Sequence, residues 1–313
     1  MNIFEWLKDS DPSLRWQVER DLLKLPKTDW QETRKRTHTE GNAAILLSHH
    51  GPDGLWEQGA FLPWYVREGK PGYPWKATTT VLHDLQEWGV ESSALKPDTA
   101  GLIKKNARWE YEDLPYWEGE VDACINGMTL VAGAWLQTDV SGILQWFVDH
   151  QMADGGWNCE WVNGSVVSSF VSTLNSLISL LEYEKIIGRD VSIDAMRKSA
   201  EEYLLKRQLM ERLSTGERHP WVEQLGYPFR HSYSIIRALD YFRAASSYDG
   251  SKPDQRLSEA VMNLKSKRHP DGTWHADFMH EGDTWTESET PGEPSRWLTF
   301  YALRILTWWD ENN

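Results

Sequence analysis

The residues best equipped for chemistry stand in short groups along the chain. Glu120, Asp122 and Cys124 place two carboxyl groups and a thiol just ahead of an apolar run. Two acids so close could share a proton if buried, which would raise one pKa; ahead of a helix, such acids also serve as simple caps. The chain has 2 cysteines, Cys124 and Cys159, so at most one bridge can form. In a reducing compartment they are expected as free thiols or metal ligands, and as small buried hydrophobes on the plain structural reading. Arg230, Arg296 and Lys76 could bind a carboxylate or a diphosphate, or pair with an acidic surface. The tract from His275 to Glu287, which carries His275 and His280, could hold a metal or act as a lid. Tryptophan, at 19 residues, exceeds what core filling readily explains. Aromatic walls accept an isoprenoid chain and also stack on sugar rings.

Composition narrows the classes. With 313 residues, 40% of them hydrophobic, the chain can bury a sizeable core. A formal charge of −14 with no basic patch argues against a nucleic-acid groove and against an anionic membrane surface. No run approaches the apolar length of a membrane span, and the opening MNIFEWLKDSD lacks the basic and apolar regions of a signal peptide. A cytoplasmic protein is expected. No low-complexity or Pro/Gly/Ser-rich linker interrupts the pattern, so residues 1–313 are expected to form a single domain.

The elements that must position these residues alternate around a repeated hinge. An Asp-Gly turn followed by Trp occurs in GPDGLW (Gly51 to Trp56), QMADGGWNCEW (Gln151 to Trp161) and HPDGTW (His269 to Trp274). Each lies after one apolar helical run and before another, and the spacing between hinges suits two helical hairpins. Trp109 to Trp117 replaces the hinge with a degenerate turn. Inner helices are expected after Asp11-Pro12-Ser13, over Trp75 to Trp88, Val121 to Leu136 and Ser168 to Tyr183, from about Phe229, and over Ser295 to Trp309. Outer helices are expected from DWQETRKRTHTEGN into Ala43 to Leu47, and over Ala94 to Ala107, Gly142 to Gln151, about Ile193 to Gln208, and Gln255 to Lys267. Pro12-Ser13 with Arg15-Trp16 mirrors Pro294-Ser295 with Arg296-Trp297, as expected where a ring closes. Hairpins that cannot bury their apolar faces alone stack on neighbours, so the pattern predicts an all-α fold, an α/α toroid of about six inner and five to six outer helices.

With its hinges in phase with helix pairs over most of its length, the chain resembles the squalene/terpenoid cyclase and protein prenyltransferase superfamily, whose so-called QW repeats build an α/α toroid. Gln151 fits the family's Gln three residues before the Asp, whereas the first and third hinges have His50 and Arg268. In such a toroid the inner helices start at one mouth, which gathers Trp75, Lys76, Trp117, Glu120, Asp122, Cys124, Cys159, Trp161, Arg230, His231, His275, His280, Arg296 and Trp297. Asp122-Ala123-Cys124 looks like the Asp-x-Cys of prenyltransferase catalytic subunits, which with a later His holds a zinc ion that activates a thiol. The resemblance therefore implies Asp122, Cys124 and His231 as metal ligands, with Cys159 as a substitute.

Cyclases of the superfamily protonate a double bond from an Asp-x-Asp-Asp run. This chain has none, leaving Glu120 and Asp122 as its acids. The resemblance implies a small apolar, isoprenoid-type ligand in a central cavity, bound by a cyclase- or transferase-like enzyme. A non-catalytic lipid- or small-molecule-binding toroid is one alternative. A carbohydrate-active enzyme is another, pairing Glu120 or Asp122 with Glu281 or Asp283 across a sugar.

Overall fold

The computed structural model describes residues 2–286 and 289–312; Glu287, the end of the His-rich tract, lies outside them. The chain runs α1 (Ile3–Lys8), α2 (Pro12–Asp21), α3 (Lys27–Arg36), α4 (Gly41–Ser48), α5 (Thr78–Glu87), α6 (Thr99–Asn106), α7 (Ala123–Trp135) and α8 (Ser141–Asp149). It continues through α9 (Phe170–Ile187), α10 (Val191–Leu205), α11 (Ile235–Asp249), α12 (Ser258–Ser266) and α13 (Arg296–Asn312). A two-residue antiparallel pair, β1 (Trp274–His275) with β2 (Pro294–Ser295), is the one sheet among the described residues. The architecture is an all-α toroid, as the helical pattern predicts.

The hinges explain how outer and inner layers are joined. In each, the Gly of the Asp-Gly pair has a positive φ (Gly54 +83°, Gly155 +104°, Gly272 +91°), which L side chains rarely adopt. The following Trp is then bonded the same way three times. Its indole donates to the end of the preceding outer helix: Trp56 to the Leu46 carbonyl at 2.7 Å, Trp157 to Phe147 at 3.0 Å, Trp274 to Leu264 at 2.9 Å. Its backbone N–H donates to a threonine of the next inner helix: Thr78 Oγ1 at 3.1 Å, Thr173 Oγ1 at 3.2 Å and Thr299 Oγ1 at 3.0 Å. All three tryptophans are fully buried. Each contributes on the order of 4–5 kcal/mol of apolar burial before ordering entropy is subtracted. The residue that opens each hinge differs. His50 stacks on Trp56 with ring centroids 4.2 Å apart, the Arg268 guanidinium sits over Trp274, and Gln151 donates to the Gly155 and Met196 carbonyls.

The ring follows the order α2, α5, α7, α9, α11, α13. Trp16 and Gln17 of α2 donate to the Trp88 and Glu87 carbonyls at the end of α5. Gly127 lets α7 approach Ser179 of α9, where an added Cβ would lie 2.4 Å from the serine hydroxyl. Tyr248 of α11 donates to the Glu184 carbonyl of α9. Arg304 of α13 closes the circle, bonding Asp240 of α11 at 2.5 Å and Asp21 of α2 at 3.1 Å. The first and last inner helices are thus neighbours.

Several element boundaries differ from expectation: α1 is not expected, α6 starts at Thr99 and not Ala94, and two further differences have a visible cause. The first outer segment is two helices, α3 and α4. Asp11, besides capping α2 through the Ser13 amide, accepts the Asn42 amide and so starts a second helix beside Gly41. The fifth inner helix begins at Ile235, six positions after the expected Phe229. A turn closed by the Ser232 amide on the Phe229 carbonyl delays it, and Ser234 supplies the cap. No helix is long and apolar enough to cross a membrane among the described residues.

Candidate functional site

At the mouth, the start of α7 is built by Asn126, which bonds the Glu120 N–H and carbonyl, both at 2.6 Å. The Glu120 carboxylate turns back onto the Asp122 amide at 2.6 Å. Burial raises the pKa of both acids. The Asp122 amide opposes the rise at Glu120, and the Cys159 thiol opposes it at Asp122. Asp122 flanks α7 without making a side-chain cap.

One turn in, Cys124 Sγ lies 3.5 Å from Cys159 Sγ, the first residue of a short 3-10 turn (Cys159–Asn163) beyond the central hinge. The Ser172 hydroxyl sits 3.3 Å from the Cys159 sulfur and accepts the Cys159 amide at 3.0 Å. Trp161 of the same turn donates its indole N–H to the Val121 carbonyl at 2.8 Å. The contact with Cys159, together with burial, pushes the Cys124 thiol up; the same contact pulls Cys159 down.

Asn175 of α9 bridges to the second half of the mouth. Its side-chain amide lies 3.5 Å from Cys124 Sγ and donates to the His231 carbonyl at 2.8 Å. Trp75 is the centre of that half. Its indole N–H donates to the Glu281 carbonyl at 2.6 Å, the Arg230 guanidinium lies 4.9 Å from its ring centroid, and the His280 and His231 rings lie at 5.3 and 6.1 Å. Arg230 is 4% exposed and bonds Asp84 at 2.5 Å, yet among the described residues its Nε has no partner; nor does Nε2 of His280. Arg237, 6% exposed, donates to the Ser232 carbonyl at 3.0 Å. Burial lowers its pKa to about 10, against the charge of Glu87. Burial, with the charges of Arg230 and His231, pulls His280 down to about 4, and burial with the two arginines lowers His231. Both imidazoles are therefore neutral near pH 7 and able to donate as well as accept.

Several expected residues serve elsewhere. The Trp117 indole is bonded to the Ala100 carbonyl of α6. Arg296 bonds the Trp6 carbonyl and covers the Trp6 ring at the ring closure. Lys76 faces Asp283 at 3.9 Å and Trp285, and Glu281 accepts the Tyr73 hydroxyl. Trp297 stacks on Tyr227 with centroids 4.5 Å apart. His275 stacks on His269 beside the third hinge and bonds the Gly292 carbonyl.

The zinc set implied by resemblance does not assemble. Among the described residues, one group brings three His, Cys, Asp or Glu ligand atoms within 4.8 Å of one another, and it is His83, Asp84 and Glu87. Asp122, Cys124 and His231 form no such group. The reason is the late start of α11: His231 lies in the loop ahead of the helix and offers its carbonyl, not its ring, to the Asn175 that neighbours Cys124. At the His83 group, Arg230 already occupies Asp84 and Tyr301 donates to Glu87 at 2.6 Å.

These last bonds also revise the expected open cavity. Glu87 belongs to α5, Tyr301 to α13, and Tyr227 and Arg230 to the loop before α11, and α5 is adjacent to neither α11 nor α13 around the ring. Bonds from Tyr301 and Tyr227 to Glu87 and from Arg230 to Asp84 therefore pass through the interior. The interior is polar and crossed by side chains there. Two open grooves, of about 450 and 410 Å³, lie away from the mouth, one at the far ends of α7 and α9 and one between α12 and α13. Arg237, Asn175 and this crossing network escaped the sequence reading; the one signal was the Ser/Thr richness of α9, an unusual composition for a purely packing helix.

The fold and site define an α/α toroid with a cationic and aromatic mouth. By structure the chain is similar to a type II terpene cyclase from Scytonema, in complex with its substrate geranylgeranyl dihydroxybenzoate (TM-score 0.46, 13% identity, 99% of this chain and 88% of that one). It is also similar to a protein from Actinoplanes (TM-score 0.46, 14% identity, 96% of this chain and 90% of that one). No protein-family model matches the sequence, nor does any curated protein.

Proposed function

We propose that the protein binds a small organic anion with an apolar, isoprenoid-type body at the mouth of the toroid, the anionic group between Arg230 and Arg237 and the body against Trp75. The observation that carries this reading is the partnerless Nε of a guanidinium only 4% exposed, beside an indole face. An unpaired buried donor costs stability, and an arriving carboxylate or phosphate oxygen would satisfy it. A neutral sugar would leave the Arg237 charge unanswered, so the carbohydrate reading is the weaker fit. Glu120 and Asp122, at the same mouth with raised pKa values, are the acids that would pass a proton to a bound double bond in a cyclase-like reaction. Binding without turnover defines the non-catalytic version.

The test is titration calorimetry with farnesyl diphosphate, geranylgeranyl diphosphate and uncharged geranylgeraniol. Charge-assisted hydrogen bonds of about 1.5–3 kcal/mol predict that the diphosphates bind at least about tenfold tighter than the alcohol, and that Arg237→Met narrows the difference. Equal binding of alcohol and diphosphate, or a preference untouched by Arg237→Met, would overturn the proposal. Product analysis of the same mixtures separates enzyme from binding protein.

A further inference from the structure

We propose that Cys124 and Cys159 are a modification site: a dithiol that low-molecular-weight disulfides oxidise to a reversible intramolecular disulfide, joining the loop beyond the central hinge to the third inner helix. The inference is independent of the ligand proposed above.

The sulfurs are 3.5 Å apart, so each must travel less than an ångström along their line to reach bonding distance. What holds them there does not depend on sulfur. Cys124 stands in the first turn of α7, and Cys159 is fixed from its backbone by the Ser172 hydroxyl on α9 and through its neighbour Trp161 by the Val121 carbonyl. Two thiols held near contact by a rigid frame react with each other at a high effective concentration.

Access sets the order of events. Cys159 is half-buried and Cys124 buried, so the Cys159 thiolate meets the oxidant first. Attack on glutathione disulfide forms the Cys159 to glutathione bond and releases one glutathione thiolate. Cys124 then loses its proton, attacks the Cys159 sulfur and expels the second glutathione. The balance is one protein dithiol and one glutathione disulfide giving one protein disulfide and two glutathiones. No other cysteine in the chain can compete with Cys124 for the second step. The product spans 35 positions of sequence and withdraws the Cys159 thiol from Asp122.

The experiment treats the full chain with glutathione disulfide, quenches with a maleimide in denaturant so that buried thiols also label, and reads intact and peptide masses. The expected result is loss of both maleimide sites, a crosslinked pair of peptides containing Cys124 and Cys159, no retained glutathione, and full reversal by dithiothreitol. Cys124→Ser should stop at one glutathione on Cys159, and Cys159→Ser should remain unmodified under the same exposure. Circular dichroism of both variants confirms that the fold is kept. A stable mixed disulfide on the parent protein, crosslinking between molecules, or both thiols still open to maleimide after oxidation would each overturn the proposal. So would stoichiometric zinc on the two sulfurs of the parent protein that protects them from oxidation.

Discussion

Arg237 donates to the carbonyl of Ser232 at 3.0 Å and, among the described residues, has no ion-pair partner, although it is only 6% exposed. Arg304, at 8%, presents the opposite case, with Asp240 at 2.5 Å and Asp21 at 3.1 Å. Removing a buried charge that lacks a partner relieves desolvation, whereas removing one that has partners strands the partners. Arg237→Met should therefore be neutral or stabilising by up to about 2 kcal/mol, and Arg304→Met destabilising by about 3–5 kcal/mol, in urea unfolding. Equal losses would make Arg237 a structural residue and withdraw it from the proposed anion site.

The hinge threonines offer a test of how the layers are joined. Thr173→Val keeps the volume and removes the acceptor of the buried Trp157 N–H. An orphaned amide costs about 1–3 kcal/mol, and Thr173→Ser, which keeps the hydroxyl, should recover most of it. Thr299→Val should behave alike at Trp274, and the two losses should add, since the hinges share no partner. If the valine and serine variants are indistinguishable in thermal unfolding, the bond does not hold the hinge.

These hinges were also the legible part of the fold. An Asp-Gly pair needing a positive φ and a Trp eight residues past the end of an outer helix are local signals, and the toroid follows from repeating them. The mouth was legible only as a neighbourhood. Asp122, Cys124, Cys159, Trp75, Arg230 and His231 do gather there, because the order of inner helices fixes which end they occupy. Their bonds were not legible. Which atom His231 offers depends on a helix starting at Ile235 and not near Phe229, and the apolar run reads the same either way. Arg237 looks in sequence like any helix-surface cation, and only the packing of α11 against its neighbours buries it.

Glu289, in the loop ahead of α13, carries a pKa raised from 4.5 to about 7 by burial, with Ser295 and the Trp297 amide pulling the other way. One carboxylate oxygen has no hydrogen-bond partner among the described residues. The folded state thus holds its proton more tightly than the unfolded chain, so this group's contribution to stability is full below about pH 4.5 and is lost as the pH rises through about 7. Glu289→Gln should match the parent protein in urea at about pH 4 and exceed it at about pH 8 by as much as ~3 kcal/mol. A pH-independent difference between the two proteins would show that the carboxyl is not held neutral.

Close approach of α7 and α9 makes a further check. Gly127→Ala would set a methyl 2.4 Å from the Ser179 hydroxyl oxygen and 3.0 Å from its Cβ. Overpacking of this kind costs about 1–3 kcal/mol. Adding Ser179→Gly should recover part of that loss despite glycine's own helical penalty. Loss without rescue in the double variant would place the strain elsewhere than at this contact.

Glu87 has a mechanical meaning beyond its hydrogen bonds. Tyr301 and Tyr227 reach it from other arcs of the ring, and Trp88 in turn donates to the Tyr227 hydroxyl at 2.9 Å. These bonds act as spokes to the rim formed by the inner helices. A hollow ring can flatten into an oval at little cost, because each seam bends slightly and none breaks. A spoked one must break a spoke to do so.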